Sequence, residues 1–330
     1  MIKMKWLVLS LTLFNMLGCQ SMAQPNVTVG SAGLSEPLNV VAQVRKNNID
    51  FRKLSQQHNR PIVALVLGSG GARGYAHIGV IQVLEQQGIH PDFIVGTSAG
   101  SIVGSIYASG KTANELRDIA LNMKVNDVRD IKLDMKGILD GKKVENYINQ
   151  LVNNIPLQQL KIPMYVVATE LGQGNKVVFN YGNTGQAVRA SVSIPSMFVP
   201  TKIGETEYVD GGLVSPVPVD VARDLGADII IAVDILAQPI HTETSNVWGL
   251  FNQNINIMQN HLAQQELQHA DIVIQPDLRE KAHIFDLKGR ESTIQAGIDA
   301  AENQLHSILS VFQQKQRLHQ QKFLQLTAQD

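Results

Sequence analysis

The run Ile62-Val-Ala-Leu-Val-Leu67 contains no polar residue, and similar runs recur at Phe93-Ile-Val95, Met164-Tyr-Val-Val-Ala168, Ile229-Ile-Ile-Ala-Val233 and Ile272-Val-Ile274. A strand that faces water on one side alternates apolar with polar residues; a strand covered on both faces does not. These runs therefore read as strands buried on both faces. Helical patterns lie between them: an apolar stretch from Tyr75 to Leu84, the capping-box spacing Thr112-Ala-Asn-Glu115, and apolar and charged residues at helical intervals from Val217 to Leu225. Strands alternating with helices imply an α/β fold with a mostly parallel sheet. The chain has 330 residues, 44% of them hydrophobic and 17% charged, enough to build such a core. That composition excludes a disordered chain, a fibrous repeat and a coiled coil.

Charge and cysteine content narrow the function classes. With 28 Lys+Arg against 29 Asp+Glu the net charge is −1, so no bulk attraction draws the chain to nucleic acid or to anionic lipid, and no nucleic-acid partner is expected. A single cysteine permits neither an internal disulfide nor a cysteine-based metal cluster. No acidic calcium-loop spacing is present, and the reading implies no metal and no cofactor.

The first segment reads as an address label. Lys3 and Lys5 precede an apolar stretch, Trp6 to Phe14, too short to span a bilayer, so residues 1–18 are expected to be an export signal. Met16-Leu17-Gly18-Cys19 resembles a bacterial lipoprotein box, which would make Cys19 a lipidation site. Gln20 in place of aspartate implies an outer-membrane anchor facing the periplasm. The alternative is ordinary cleavage after Ser21-Met22-Ala23 and a soluble periplasmic or secreted protein. Residues 19–60 read as a tether ending in a short helix, Val41 to Gln57. Residues 61–303 read as the globular domain, and the Gln-rich stretch from Gln304 to Asp330 as a surface helix that frays.

Ligands of parallel sheets bind beyond the C-terminal ends of the strands, and two such ends are chemically loaded. Gly68-Ser-Gly-Gly-Ala-Arg-Gly74 follows the first strand and opens a helix, a turn that presents backbone N–H groups and partial positive charge to an anion. The dinucleotide pattern fails because its third glycine would fall on Arg73, and no Gly-Lys-Ser/Thr follows for a P-loop. Arg73 either organises the loop, attracts a phosphate, or forms an ordinary surface ion pair. The second end is Gly96-Thr-Ser98-Ala-Gly100, a G-x-S-x-G sequence between a strand and a helix, where the glycines let the chain turn sharply enough to expose a serine hydroxyl. Asp210 closes the strand Glu207-Tyr-Val209 and precedes Gly211 and Gly212. Of the histidines, His241, His261, His269, His283, His306 and His319 lie downstream of Ser98, none in a glycine-flanked loop directly after a strong strand, and His77 lies where it would pack rather than catalyse.

Together, Gly70-Gly71-x-Arg73-Gly74, Gly96-x-Ser98-x-Gly100, Asp210-Gly211-Gly212 and the segment Ala190-Ser-Val-Ser-Ile-Pro195 resemble the patatin-like phospholipases, over about Ile62 to Asp234, and closest to the bacterial and neuropathy-target-esterase-like branch. Ser196 stands where that segment often has glycine. The resemblance implies helices on both faces of the sheet, a patatin-like α/β/α fold. It implies a Ser98–Asp210 dyad with Ser98 as nucleophile and Asp210 as base, and oxyanion donors from the loop Gly70, Gly71, Ala72, Arg73 and Gly74. The implied activity is hydrolysis of carboxylic ester bonds in membrane phospholipids or lysophospholipids. A short-chain esterase or thioesterase, and a non-catalytic lipid-binding envelope lipoprotein, are the alternatives. The apolar residues Val247-Trp-Gly-Leu-Phe251 and Ile255-x-Ile257-Met258, on a helical stripe through Leu262, either face the core or form a partly exposed stripe that meets lipid or covers the acyl site.

Overall fold

The computed structural model describes residues 40–44, 49–236, 245, 247–278 and 289–327; the expected signal segment, Cys19, His241 and His283 lie outside the described residues. The chain enters through α1 (Phe51–His58) and β1 (Val63–Leu67), then α2 (Tyr75–Gln86), β2 (Phe93–Thr97) and α3 (Ala99–Ala108). Next come α4 (Ala113–Asn122), α5 (Val125–Val128), the hairpin β3 (Ile131–Asp134) and β4 (Gly137–Leu139), and α6 (Lys142–Leu151). The chain continues through β5 (Met164–Glu170), β6 (Lys176–Phe179), α7 (Thr184–Ser191), β7 (Thr201–Ile203) and β8 (Thr206–Asp210). It ends with α8 (Val219–Leu225), β9 (Ile229–Val233), α9 (Val247–Leu267), β10 (Ile272–Ile274) and α10 (Arg290–Thr327).

Each of the five apolar runs is a strand, and all five pair in parallel in the order β10-β9-β1-β2-β5. Alternate residues face opposite layers. Leu65, Leu67, Ile94 and Val166 pack with α2, α3, α4 and α10, while Ala64, Val66, Val95 and Val167 pack with α1, α8 and Ala263 of α9. The mostly parallel sheet is covered on both faces, the expected α/β/α arrangement. Thr112 and Glu115 form the expected capping box at the start of α4, with Glu115 Oε2 accepting from the Thr112 amide at 2.8 Å.

Beyond β5 the sheet turns antiparallel, and this decides the site. β6 pairs with Val166 to Thr169 of β5. β2 pairs with Met164 to Val167, and β8 with Ala168 to Glu170. A strand has two edges, so β2 and β8, both overlapping β6 in register, must share the other edge end to end. The C-terminus of β8 at Asp210 thus abuts the C-terminus of β2 at Thr97.

Two segments differ from expectation. The helix expected over Val41 to Gln57 is confined to Phe51–His58, because the Asp50 side chain caps it by accepting from the Lys53 amide. Upstream, Gln43 forms an antiparallel bridge with Tyr181 instead. Phe51 then stacks on Phe93, ring centroids 4.3 Å apart, so α1 is built into one layer of the fold. The stretch from Gln304, expected as a surface helix that frays, is helical to Thr327 as the second half of α10 and mostly exposed as far as Gln321, but it is anchored. Its Ile308 is fully buried, and Lys315 pairs with Asp271 at 2.7 Å.

Candidate active site

The turn after β1 is pressed against the end of β9. A Cβ on Gly68 would lie 2.9 Å from the Val233 carbonyl oxygen, and one on Gly70 would lie 2.7 Å from the Ile235 side chain and carbonyl. Gly71 takes φ +58°, in the left-handed region, and begins a 3-10 turn, Gly71–Gly74, that runs straight into α2. The Arg73 amide is used inside this turn, donating to the Gly70 carbonyl at 3.2 Å. Among the described residues the amides of Gly70, Gly71 and Ala72 have no hydrogen-bond acceptor. The Arg73 side chain points back at the scaffold: its Nε donates to the Ile235 carbonyl at 2.8 Å. Burial lowers its pKa to about 10 against the opposing pull of Asp234, which leaves it a cation. Arg73 organises the loop.

Ser98 sits at the sharp corner between β2 and α3, with φ 52° and ψ −118°. A non-glycine residue held there stores about 1–3 kcal/mol of strain. The two glycines around it are required by contact as well as by the turn: a Cβ on Gly100 would run into the Leu67 carbonyl oxygen, and one on Gly96 would lie 2.7 Å from that of Gly100. The corner is held by Ser191 at the end of α7, whose Oγ accepts from the Ser98 amide at 2.8 Å and donates to the Val167 carbonyl at 2.6 Å.

Because β8 ends against β2, Ser98 and Asp210 meet across 112 residues of sequence. Ser98 Oγ donates to Asp210 Oδ2 at 2.6 Å, and the Gly212 amide donates to Oδ1 at 2.7 Å. Both side chains are buried, at 3% exposure each. Burial pushes the Asp210 carboxyl up to about 6, while the bonds from Ser98 and Gly212 work in the other direction. Gly211 is forced by the end-to-end junction itself, since a Cβ there would collide with the Val167 carbonyl. A carboxylate bonded to a hydroxyl at the N-terminus of a helix can accept that hydroxyl's proton as the oxygen attacks an electrophile.

No described histidine contacts the pair. His77 Nε2 donates to the Gly68 carbonyl at 2.9 Å, and burial lowers its pKa to about 4, so it is a neutral prop beneath the glycine turn. His261 and His306 are exposed, and His269 bonds Asp220 on the surface at 2.6 Å.

Reading residues in order overlooked Glu266. It is the one Asp, Glu, Lys or Arg in the 21-residue helix α9, and that isolation was the available signal. Its carboxylate accepts from Ser215 Oγ and, at 3.1 Å, from the Val217 amide, both just downstream of Asp210. The Ser215 carbonyl in turn accepts from Thr97 Oγ1 at 2.9 Å, next to Ser98. Burial raises the Glu266 carboxyl to about 7.

An apolar cavity of ≈ 160 Å³ opens beside Ser98. Gly71, Ala72, Gly74 and Ala99 line it near the serine, and Ile106, Leu116, Ile119, Ile148, Val192 and Phe198 are among its walls. An engineered cavity of about 150 Å³ holds benzene, so this one takes roughly six carbons of an acyl chain.

Residues 65–223 match the family model described as patatin-like phospholipase. An uncharacterized NTE family protein of Mycobacterium tuberculosis is 38% identical over 178 residues, 53% of this chain and 49% of that protein. Human patatin-like phospholipase domain-containing protein 6 is 31% identical over 198 residues, 57% of this chain and 14% of that protein. The chain thus spans about half the length of the mycobacterial relative and far less of the human one. Among solved structures, VipD from Legionella pneumophila superposes with a TM-score of 0.47 at 14% identity, covering 85% of this chain and 72% of that one. The similarity to patatin-like phospholipases thus runs over residues 65–223, just under half of the chain.

Proposed function

We propose that the protein is a serine acyl hydrolase that cleaves carboxylic ester bonds of phospholipids or lysophospholipids and releases fatty acid. The observation that carries this reading is the buried 2.6 Å hydrogen bond from Ser98 to Asp210, set beside an apolar cavity. Ser98 Oγ attacks the ester carbonyl as its proton passes to Asp210 Oδ2. The tetrahedral oxyanion takes hydrogen bonds from the open amides of the glycine turn and from Ala99 at the start of α3, each such donor contributing about 2.7–4 kcal/mol. The alcohol leaves with the proton from Asp210. Water then gives a proton to Asp210 and attacks the acyl-Ser98 ester, and Ser98 is regenerated as the acid departs. The similarity to human patatin-like phospholipase domain-containing protein 6 supports the same substrate class. The sequence adds an address: export and lipidation at Cys19 would hold the domain at a bacterial outer membrane.

The test is fatty-acid release from phospholipid and lysophospholipid vesicles by wild type, Ser98→Ala and Asp210→Asn. Loss of about 10³-fold or more in both variants, with unchanged circular dichroism, is expected. Full activity in Asp210→Asn would overturn the dyad. A second reading, a short-chain esterase, draws on the modest cavity volume. It predicts that activity on soluble esters falls steadily with chain length and does not respond to vesicles.

A further inference from the structure

The hairpin β3–β4 exposes apolar side chains. Ile131, Met135 and Ile138 are 67%, 103% and 57% exposed, with Met135 in the two-residue turn at the tip. Isolated exposed apolar residues are unremarkable, but three on one short hairpin concentrate apolar surface on that element. The exposed charge around it is mainly cationic. Residues 124–143 carry six cations, Lys124, Arg129, Lys132, Lys136, Lys142 and Lys143, against four carboxylates, in a chain whose net charge is −1. All six cations are exposed, whereas Asp127, Asp130 and Asp140 are half-buried. Asp127 accepts from the Lys124 amide and Asp130 from those of Gly141 and Lys143, so these acids are turned inward. Lys132, Lys136 and Lys142 also reach acidic partners, Asp140, Glu207 and Glu145, but through side chains that are half or more exposed, and Lys143 donates to the Asn126 carbonyl at 2.8 Å. An apolar tip ringed by outward lysines matches the interface of an anionic bilayer.

The hairpin also adjoins the cavity. Leu139 bridges Phe198, and Val128, Val144 and Phe198, which flank or brace the hairpin, are cavity walls. We propose that β3–β4 is the surface through which the described domain enters an anionic phospholipid bilayer, with Met135 and Ile138 in the interface and the lysines against headgroups. This rests on the lipid-hydrolase reading for its purpose, though not for its physics. The hairpin would set the cavity walls against the membrane, so that an acyl chain passes from bilayer to Ser98 with little exposure to water.

The experiment uses the full chain with Cys19→Ser and one added cysteine, Met135→Cys, carrying an environment-sensitive fluorophore. Vesicles are phosphatidylcholine with or without phosphatidylglycerol. A blue shift with the anionic vesicles is expected at position 135, and none at Gln87→Cys, an exposed site at the opposite end of the parallel strands. No shift at 135 overturns the proposal. So does a shift confined to Met258→Cys, which would assign the contact to the exposed residues of α9. A shift at 135 that appears without vesicles and rises with protein concentration assigns the patch to a second copy, and likewise overturns it. Separately, Met135→Glu with Ile138→Glu should lower hydrolysis of vesicle phospholipid about tenfold and leave turnover of a soluble short-chain ester unchanged. If the wild type hydrolyses no lipid the functional reading fails, and the fluorophore still decides the hairpin.

Discussion

At the scale of single residues, the cost of function is visible at Asp210. Its carboxyl is raised from 3.8 to about 6 by burial, so the folded state holds a proton more tightly than the unfolded chain. The stability this group contributes is present below about pH 4 and is lost as pH rises through about 6, an effect of up to about 3 kcal/mol. Asp210→Asn, which keeps an acceptor for Gly212 and gives Ser98 a donor, is expected to raise stability at neutral pH by about 1–3 kcal/mol in urea denaturation. On the proposed mechanism the same ionisation sets the activity profile. As the base must be a carboxylate, kcat/KM should fall tenfold per pH unit below about 6. An acid limb near 4 would place the working base elsewhere. Ser196 is a quieter case: its φ of 66° lies in the left-handed region, which is the physical reason a glycine suits that position.

At the scale of elements, α9 reaches the dyad through Glu266. Glu266→Ala strands the Ser215 hydroxyl and the Val217 amide in the interior, at a cost of about 1–3 kcal/mol each. Lower stability together with a lower kcat at unchanged KM is expected, because the segment after Asp210 loses its anchor; Glu266→Gln, which keeps an acceptor oxygen, should recover most of both. The packing of α2 on α10 gives a different kind of prediction. A Cβ on Gly297 would meet the Ala76 carbonyl, and one on Gly79 the Ile294 carbonyl, so the two backbones touch. In a free helix Gly→Ala gains about 1 kcal/mol. Here backbone cannot yield as a side chain would, and overpacking costs about 1–3 kcal/mol, so Gly297→Ala should lower the thermal midpoint despite its better helix propensity. This contact makes the first turns of α10 part of the core, just upstream of the Gln-rich stretch that begins at Gln304.

At the scale of the whole molecule, the cavity is assembled from α2, α3, α4, α5, α6 and the segment after α7, so no single element encodes its length. Ala120→Leu on α4 fills part of it. It should reduce kcat/KM for octanoyl relative to acetyl esters about tenfold and leave the acetyl rate intact; an unchanged ratio would mean the chain lies elsewhere. How much of this was legible in order of residues follows from range. The parallel strands were, because burial on both faces leaves an uninterrupted apolar run that needs no partner to be recognised. The glycine turn and the elbow around Ser98 were, because backbone collision and strand–turn–helix geometry act within five residues. The strands β3, β4, β6 and β7 were not, being three or four residues long and partly polar. The sequence by itself determined which groups could do chemistry and what corner each would occupy. Only the tertiary structure decided that Ser98 and Asp210 meet, since that depends on β8 continuing the edge of β5 where β2 stops. It also decided that Ser191 and Glu266 hold them, through hydrogen bonds between residues 49 to 93 positions apart whose cause is packing, which leaves no local periodicity to read.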